Sequence, residues 1–103
     1  MEITITGKNV EITPVMQEYI QKKFKKLDRF YSKILNCEVI VSQEKHRWIA
    51  EVNLEVKGSS LHSHAQTTDF RSAIEEAEDR IIRQIKGFKG KKISSHRQEE
   101  SRV

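Results

Sequence analysis

Residues 47–56 read RWIAEVNLEV. Trp48, Ala50, Val52, Leu54 and Val56 fall on one side of an extended chain, with Arg47, Glu51, Asn53 and Glu55 on the other, because strand side chains alternate with a period of two. A strand that is apolar on one face belongs to a sheet covered on one side only. Upstream, CEVIV (37–41) gives a second strand, and residues 43–46 lie where a hairpin loop is required, although the usual glycine is missing. Downstream, Gly58-Ser59 turns the chain into LHSHAQT (61–67), a polar strand suited to a sheet edge.

Outside this block the pattern changes. Ile3 and Ile5 alternate with Glu2, Thr4 and Thr6 in a short first strand that ends at Gly7. At Thr13-Pro14 a capping hydroxyl precedes a proline whose missing N–H would be unpaired anyway, which starts a helix. Met16, Ile20, Phe24, Leu27 and Tyr31 then recur at spacings of four, four, three and four as one apolar stripe. Asp69 caps a second helix predicted to reach about Lys86, with Phe70, Ile74, Ala77, Ile81 and Ile85 on its inner face and Gly87 and Gly90 at a fraying end.

The predicted order is βαβββα, an α+β fold with a four-stranded mixed sheet. A β-α-β crossover is right-handed, and one-sided strands put both helices on the same face. Tracing strand directions makes the two helices parallel, so their C-terminal ends arrive at one end of the sheet. At 103 residues the chain is expected to form a single domain over residues 1–92, with a disordered tail over 93–103. No apolar run approaches the roughly 18 residues of a membrane span, and the first ten residues lack a signal-peptide pattern, so a cytoplasmic protein is expected. Cys37 is the only cysteine and lies in a β-branched run, which predicts a small buried hydrophobe.

The charges are sorted along the chain. Residues 20–33 hold six cations against Asp28 alone, residues 80–97 hold seven cations and no acid, and the remainder holds six cations and fourteen anions. One or two cations at a helix C-terminus offset its dipole, as Glu75, Glu76, Glu78 and Asp79 do toward the opposite pole of the second helix. Thirteen in two converging segments exceed that need, since each further like charge adds repulsion. Lys22, Lys25 and Arg29 lie opposite the first helix's stripe, and Arg83 points away from the second's, with Lys86 and Arg80 on its flanks. Outward basic clustering is the footprint of a polyanion-binding surface, and composition does not separate RNA, DNA and anionic lipid. Phe30 and Tyr31 sit at or near the core stripe and are expected to be buried, not to stack on bases.

Enzymatic signatures are missing. His62 and His64 share one strand face and could begin a metal-dependent enzyme site, but no third ligand follows at a recognisable spacing. No glycine-rich phosphate loop, serine elbow or paired-carboxylate signature occurs. The expectation is a binding protein with no cofactor, no small-molecule substrate and no membrane partner. A general RNA- or DNA-binding regulator is the competing reading.

Two longer strings carry a resemblance. ITGKNVEITPVMQEYIQKKFKKLDRFY (5–31) and LHSHAQTTDFRSAIEEAEDRIIRQIKGFKGK (61–91) resemble the two signature regions of the ribosome hibernation-promoting factor and ribosome-associated inhibitor family, also called sigma-54 modulation proteins. The resemblance implies a domain similar in shape to double-stranded RNA-binding domains. It implies binding to the small ribosomal subunit between head and body, over the tRNA and mRNA sites, so that translation stops in idle or stressed cells. It also implies rRNA contacts by Lys22, Lys25, Lys26, Arg29, Arg80, Arg83, Lys86, Lys89 and Lys92. The chain departs from the family pattern at Arg71, where tyrosine is usual, and stops without the dimerisation domain of the long form, which implies a monomer off the ribosome.

Overall fold

The chain runs β1 (Glu2–Gly7), α1 (Pro14–Lys25), a 3-10 turn (Lys26–Arg29), β2 (Ile34–Glu44), β3 (Arg47–Val56), β4 (Ser59–Thr67) and α2 (Phe70–Ile93) in a computed structural model. Residues 1–93 are described, with side chains through residue 88. The four strands form one sheet in the order β1-β2-β3-β4, with β1 parallel to β2 and the other pairs antiparallel. This is the α+β, mixed-sheet architecture expected from the alternation in residues 47–56.

Both helices cover one face. Ile20, Phe24 and Leu27 from the first helical segment meet Ile74, Ala77, Ile81 and Ile85 from α2 over Cys37, Val39, Val41, Val52, Leu54 and Ala65 of the sheet, all fully or almost fully buried. Burying each large side chain contributes about 1.5–3 kcal/mol, so this single layer drives folding. Ser63 is the polar exception on β4, and its hydroxyl donates to the Ala77 carbonyl at 2.8 Å, tying β4 to the middle of α2. Cys37 lies in the core as expected, and burial pushes its thiol up to about 12.

The helix starts follow the sequence. The Thr13 hydroxyl accepts from the Met16 amide at 3.2 Å, with Pro14 as the first helical residue. Asp69 accepts from the Ser72 amide at 2.8 Å, and that bond, with one from the Ser72 hydroxyl, holds its carboxyl below the usual range. Between β1 and α1 the loop folds back so tightly that a Cβ on Gly7 would collide with the Val10 carbonyl. Asn9 fixes that loop, exchanging two 2.9 Å hydrogen bonds with the backbone of Gln43 at the end of β2.

Three boundaries differ from expectation. β2 extends beyond 37–41 at both ends, because its outer residues continue the ladder with β3 up to Glu44 opposite Arg47. The hairpin loop shrinks to Lys45 and His46, and Lys45 adopts the left-handed φ of 54° that a glycine would have taken. α2 does not stop near Lys86 but passes through Gly87 and Gly90 to Ile93, held by a tertiary contact of Phe88 described below. Ile93, expected to open a disordered tail, is therefore helical, and the rest of that tail lies outside the described residues.

Candidate nucleic-acid interface

Contacts between the two helical segments form a ladder. Tyr19 packs on Phe70 at 5.8 Å between ring centroids, and the Arg71 guanidinium lies 5.1 Å from the Tyr19 centroid. Lys23 pairs with Glu75 at 3.4 Å, and the Tyr19 hydroxyl donates to the same carboxylate. Lys26 and Lys23 oppose the effect of burial on Glu78, whose carboxyl is pushed up by desolvation at only 5% exposure. Lys86 then stands over Phe30 at 5.6 Å, and Phe88 meets Tyr31 edge-on at 5.7 Å.

Both residue numbers rise together along these rungs, which is possible only if the helices run in the same direction. Their C-terminal ends therefore meet, with Arg29 beside Phe30 at the last rungs and Lys86 reaching across from α2. Phe30, Tyr31 and Phe88 are partly buried against the core and serve this junction. The rings that the sequence placed near the core stripe thus tie the two basic segments together.

The expected site residues fall into groups. Lys22, Lys25, Arg29 and Arg83 are exposed, and none forms an ion pair among the described residues. Lys26 is also exposed but stands near the Glu78 carboxylate, and Lys86 leans on Phe30. Arg80 is exposed but already partnered: it pairs with Glu76 at 2.5 Å and donates to the His64 carbonyl. Lys89 and Lys92 lie on the final turns of α2, and their side chains are outside the described residues.

Two lysines join this pole through topology. Lys33 precedes β2 and Lys57 leaves β3, and the Lys57 amide donates to the Lys33 carbonyl at 3.3 Å. Both chain segments lie at the end of the sheet where α1 and α2 finish. Lys33 belongs to the first basic segment of the sequence, but Lys57 is an isolated cation in a turn and no local pattern marks it.

On the uncovered sheet face, His62 shares a 2.6 Å hydrogen bond with Asn53, which in turn reaches Glu38. His64 lies opposite Glu51 across the β3–β4 ladder. Among the described residues no three His, Cys, Asp or Glu side chains are grouped to hold a metal ion. No helix among them is long and apolar enough to cross a membrane.

The family model described as "Sigma 54 modulation protein / S30EA ribosomal protein" matches residues 3–93. The chain belongs to this family. Among curated S30EA relatives, it is 38% identical over 91 residues to a protein named ribosome hibernation promoting factor from Klebsiella oxytoca, covering 88% of this chain and 96% of that one. The protein of the same name from Escherichia coli is 34% identical over the same shares. Among solved structures, the N-terminal domain of Protein Y from Thermus thermophilus superposes with a TM-score of 0.79 at 31% identity, covering 85% of this chain and 99% of that one. A ribosomal subunit interface protein from Coxiella burnetii shares the fold with a TM-score of 0.83 at 24% identity, covering 87% and 99%.

Proposed function

We propose that this chain is a ribosome-binding hibernation factor that inhibits translation without catalysis, by occupying the tRNA and mRNA sites of the small subunit. The observation that carries the reading is the junction of the two helix ends, where Lys86 meets Phe30 and Phe88 meets Tyr31. That contact brings the ends of the two basic segments together, which supports a shared cationic surface, and the names of the S30EA relatives supply the target. Lys22, Lys25, Lys26, Arg29, Arg83 and Lys86 would neutralise phosphates, with Lys89 and Lys92 extending the same helix. Arg80 adds less, because one N–H from each terminal nitrogen already serves Glu76 or His64. Contacts to backbone and shape suit structured RNA, whose deep major groove side chains do not read.

Cosedimentation with purified small subunits across a salt series, with and without excess tRNA, tests this. Binding that weakens steeply with salt and is displaced by tRNA is expected. The quadruple variant Lys25→Glu, Arg29→Glu, Arg83→Glu, Lys86→Glu should lose cosedimentation while remaining folded, since exposed substitutions usually cost little. Equal affinity for a naked RNA or DNA duplex at the same salt would instead favour a general nucleic-acid-binding regulator.

A further inference from the structure

We propose that the sheet end formed by Lys33, Leu35 and Lys57 is a second RNA-gripping element, separate from the helices, in which the lysines hold phosphates and Leu35 packs on a ribose or base between them. This rests on the ribosome-binding reading and adds a site to it. Three observations point there.

Lys33 and Lys57 are exposed, stand on chain segments whose backbones are directly hydrogen-bonded, and form no ion pair among the described residues. A strand end has no macrodipole comparable to that of a helix, so dipole compensation does not explain two cations side by side. Among the described residues Leu35, at 57%, and Val15 are the exposed large apolar side chains. It lies at an irregularity in the ladder, where Ile34 pairs with Val56 and Asn36 with Glu55, leaving Leu35 unmatched on β3. Bulges of this kind redirect a side chain, and here the residue released is apolar and lies two positions along the chain from Lys33, whose backbone is bonded to Lys57. Apolar side chains placed among phosphate contacts are a recurrent way of engaging nucleic-acid sugars and bases.

The helix axes lie about one helix diameter, roughly 10 Å, above the sheet. The sheet end therefore meets a different stretch of backbone from the one held by Arg29 and Lys86. Binding through both would fix the rotation of the domain about its long axis, which a single cationic tip leaves free.

The test is cosedimentation with small subunits over a salt series for the wild type, the double variant Lys33→Ala, Lys57→Ala, and Leu35→Ser, each checked for an unchanged urea midpoint. Each lost phosphate contact removes roughly 0.7–0.9 from the slope of log affinity against log salt, so the double variant should lose about 1.4–1.8. Leu35→Ser should bind several-fold more weakly with the wild-type slope. A wild-type slope in the double variant, or wild-type affinity in Leu35→Ser, overturns the proposal. If the wild type itself fails to bind small subunits, the ribosome-binding reading falls. If it binds and only the helix variant of the preceding section loses affinity, the sheet-end site alone falls.

Discussion

Replacing Phe88 with alanine should open the last turns of α2 without unfolding the domain. Helical continuation past Lys86 is opposed locally, because Gly87 and Gly90 each cost about 1 kcal/mol relative to alanine. Phe88 offsets this through its edge-on contact with Tyr31, worth about 0.5–1.5 kcal/mol beyond burial, and through the larger part of its side chain that is covered, about 1.5–2 kcal/mol. Losing the ring removes roughly 2–3.5 kcal/mol, which favours local opening by about 30-fold or more. Ile81 and Ile85 stay fully buried, so the urea midpoint should move little. Amide hydrogen exchange should speed up from residue 86 onward and not in earlier turns, and ribosome affinity should fall because Lys86 leaves Phe30. A Cβ on Gly87 meets nothing within 4 Å, so adding Gly87→Ala should restore about fivefold of the lost protection. Unchanged exchange beyond residue 86, or equal acceleration along all of α2, would refute the account.

Further outcomes follow from buried groups. Burial raises the Glu78 carboxyl, so its stabilising contribution is complete below the ordinary carboxylate range and is lost as pH rises through its higher folded value. Urea melts of Glu78→Gln should accordingly gain on wild type as pH rises from about 4 to 7; a pH-independent difference would contradict this. Gly7→Ala should destabilise by about 2 kcal/mol or more by thermal melting, because the colliding Val10 carbonyl is backbone and cannot swing aside. Cys37, buried with its thiol near 12, should resist alkylation at pH 8 in the native protein and react once urea unfolds it, which mass spectrometry will show.

Much of this architecture was legible in the sequence because the deciding signals are local. The alternation Trp48 to Val56, the Thr13-Pro14 start and the Asp69 cap each depend on neighbours a few residues away, and each appears where expected. The ends of elements were less legible because their support is distant. Gly87 and Gly90 read as a stop, yet Tyr31, far away in sequence, holds the helix through them. The candidate site divides in the same way. The exposure of Lys25, Arg29, Arg83 and Lys86 follows from helix period, whereas Lys57 reaches the Lys33 segment only through strand pairing, and Arg80 is diverted by a carbonyl sixteen residues earlier.

That diversion matters beyond the loss of one cation. Gln84 exchanges both its amide groups with the backbone of His62, and Arg80 takes the carbonyl of His64, so the outer border of β4 is closed to a further strand by side chains of its own helix. β1, with no comparable plug among the described residues, is left as the open lateral border of the sheet. Accretion of copies through backbone pairing would stop at two, since joining β1 to β1 leaves no growing end. A domain built this way can be concentrated without seeding fibres through its sheet.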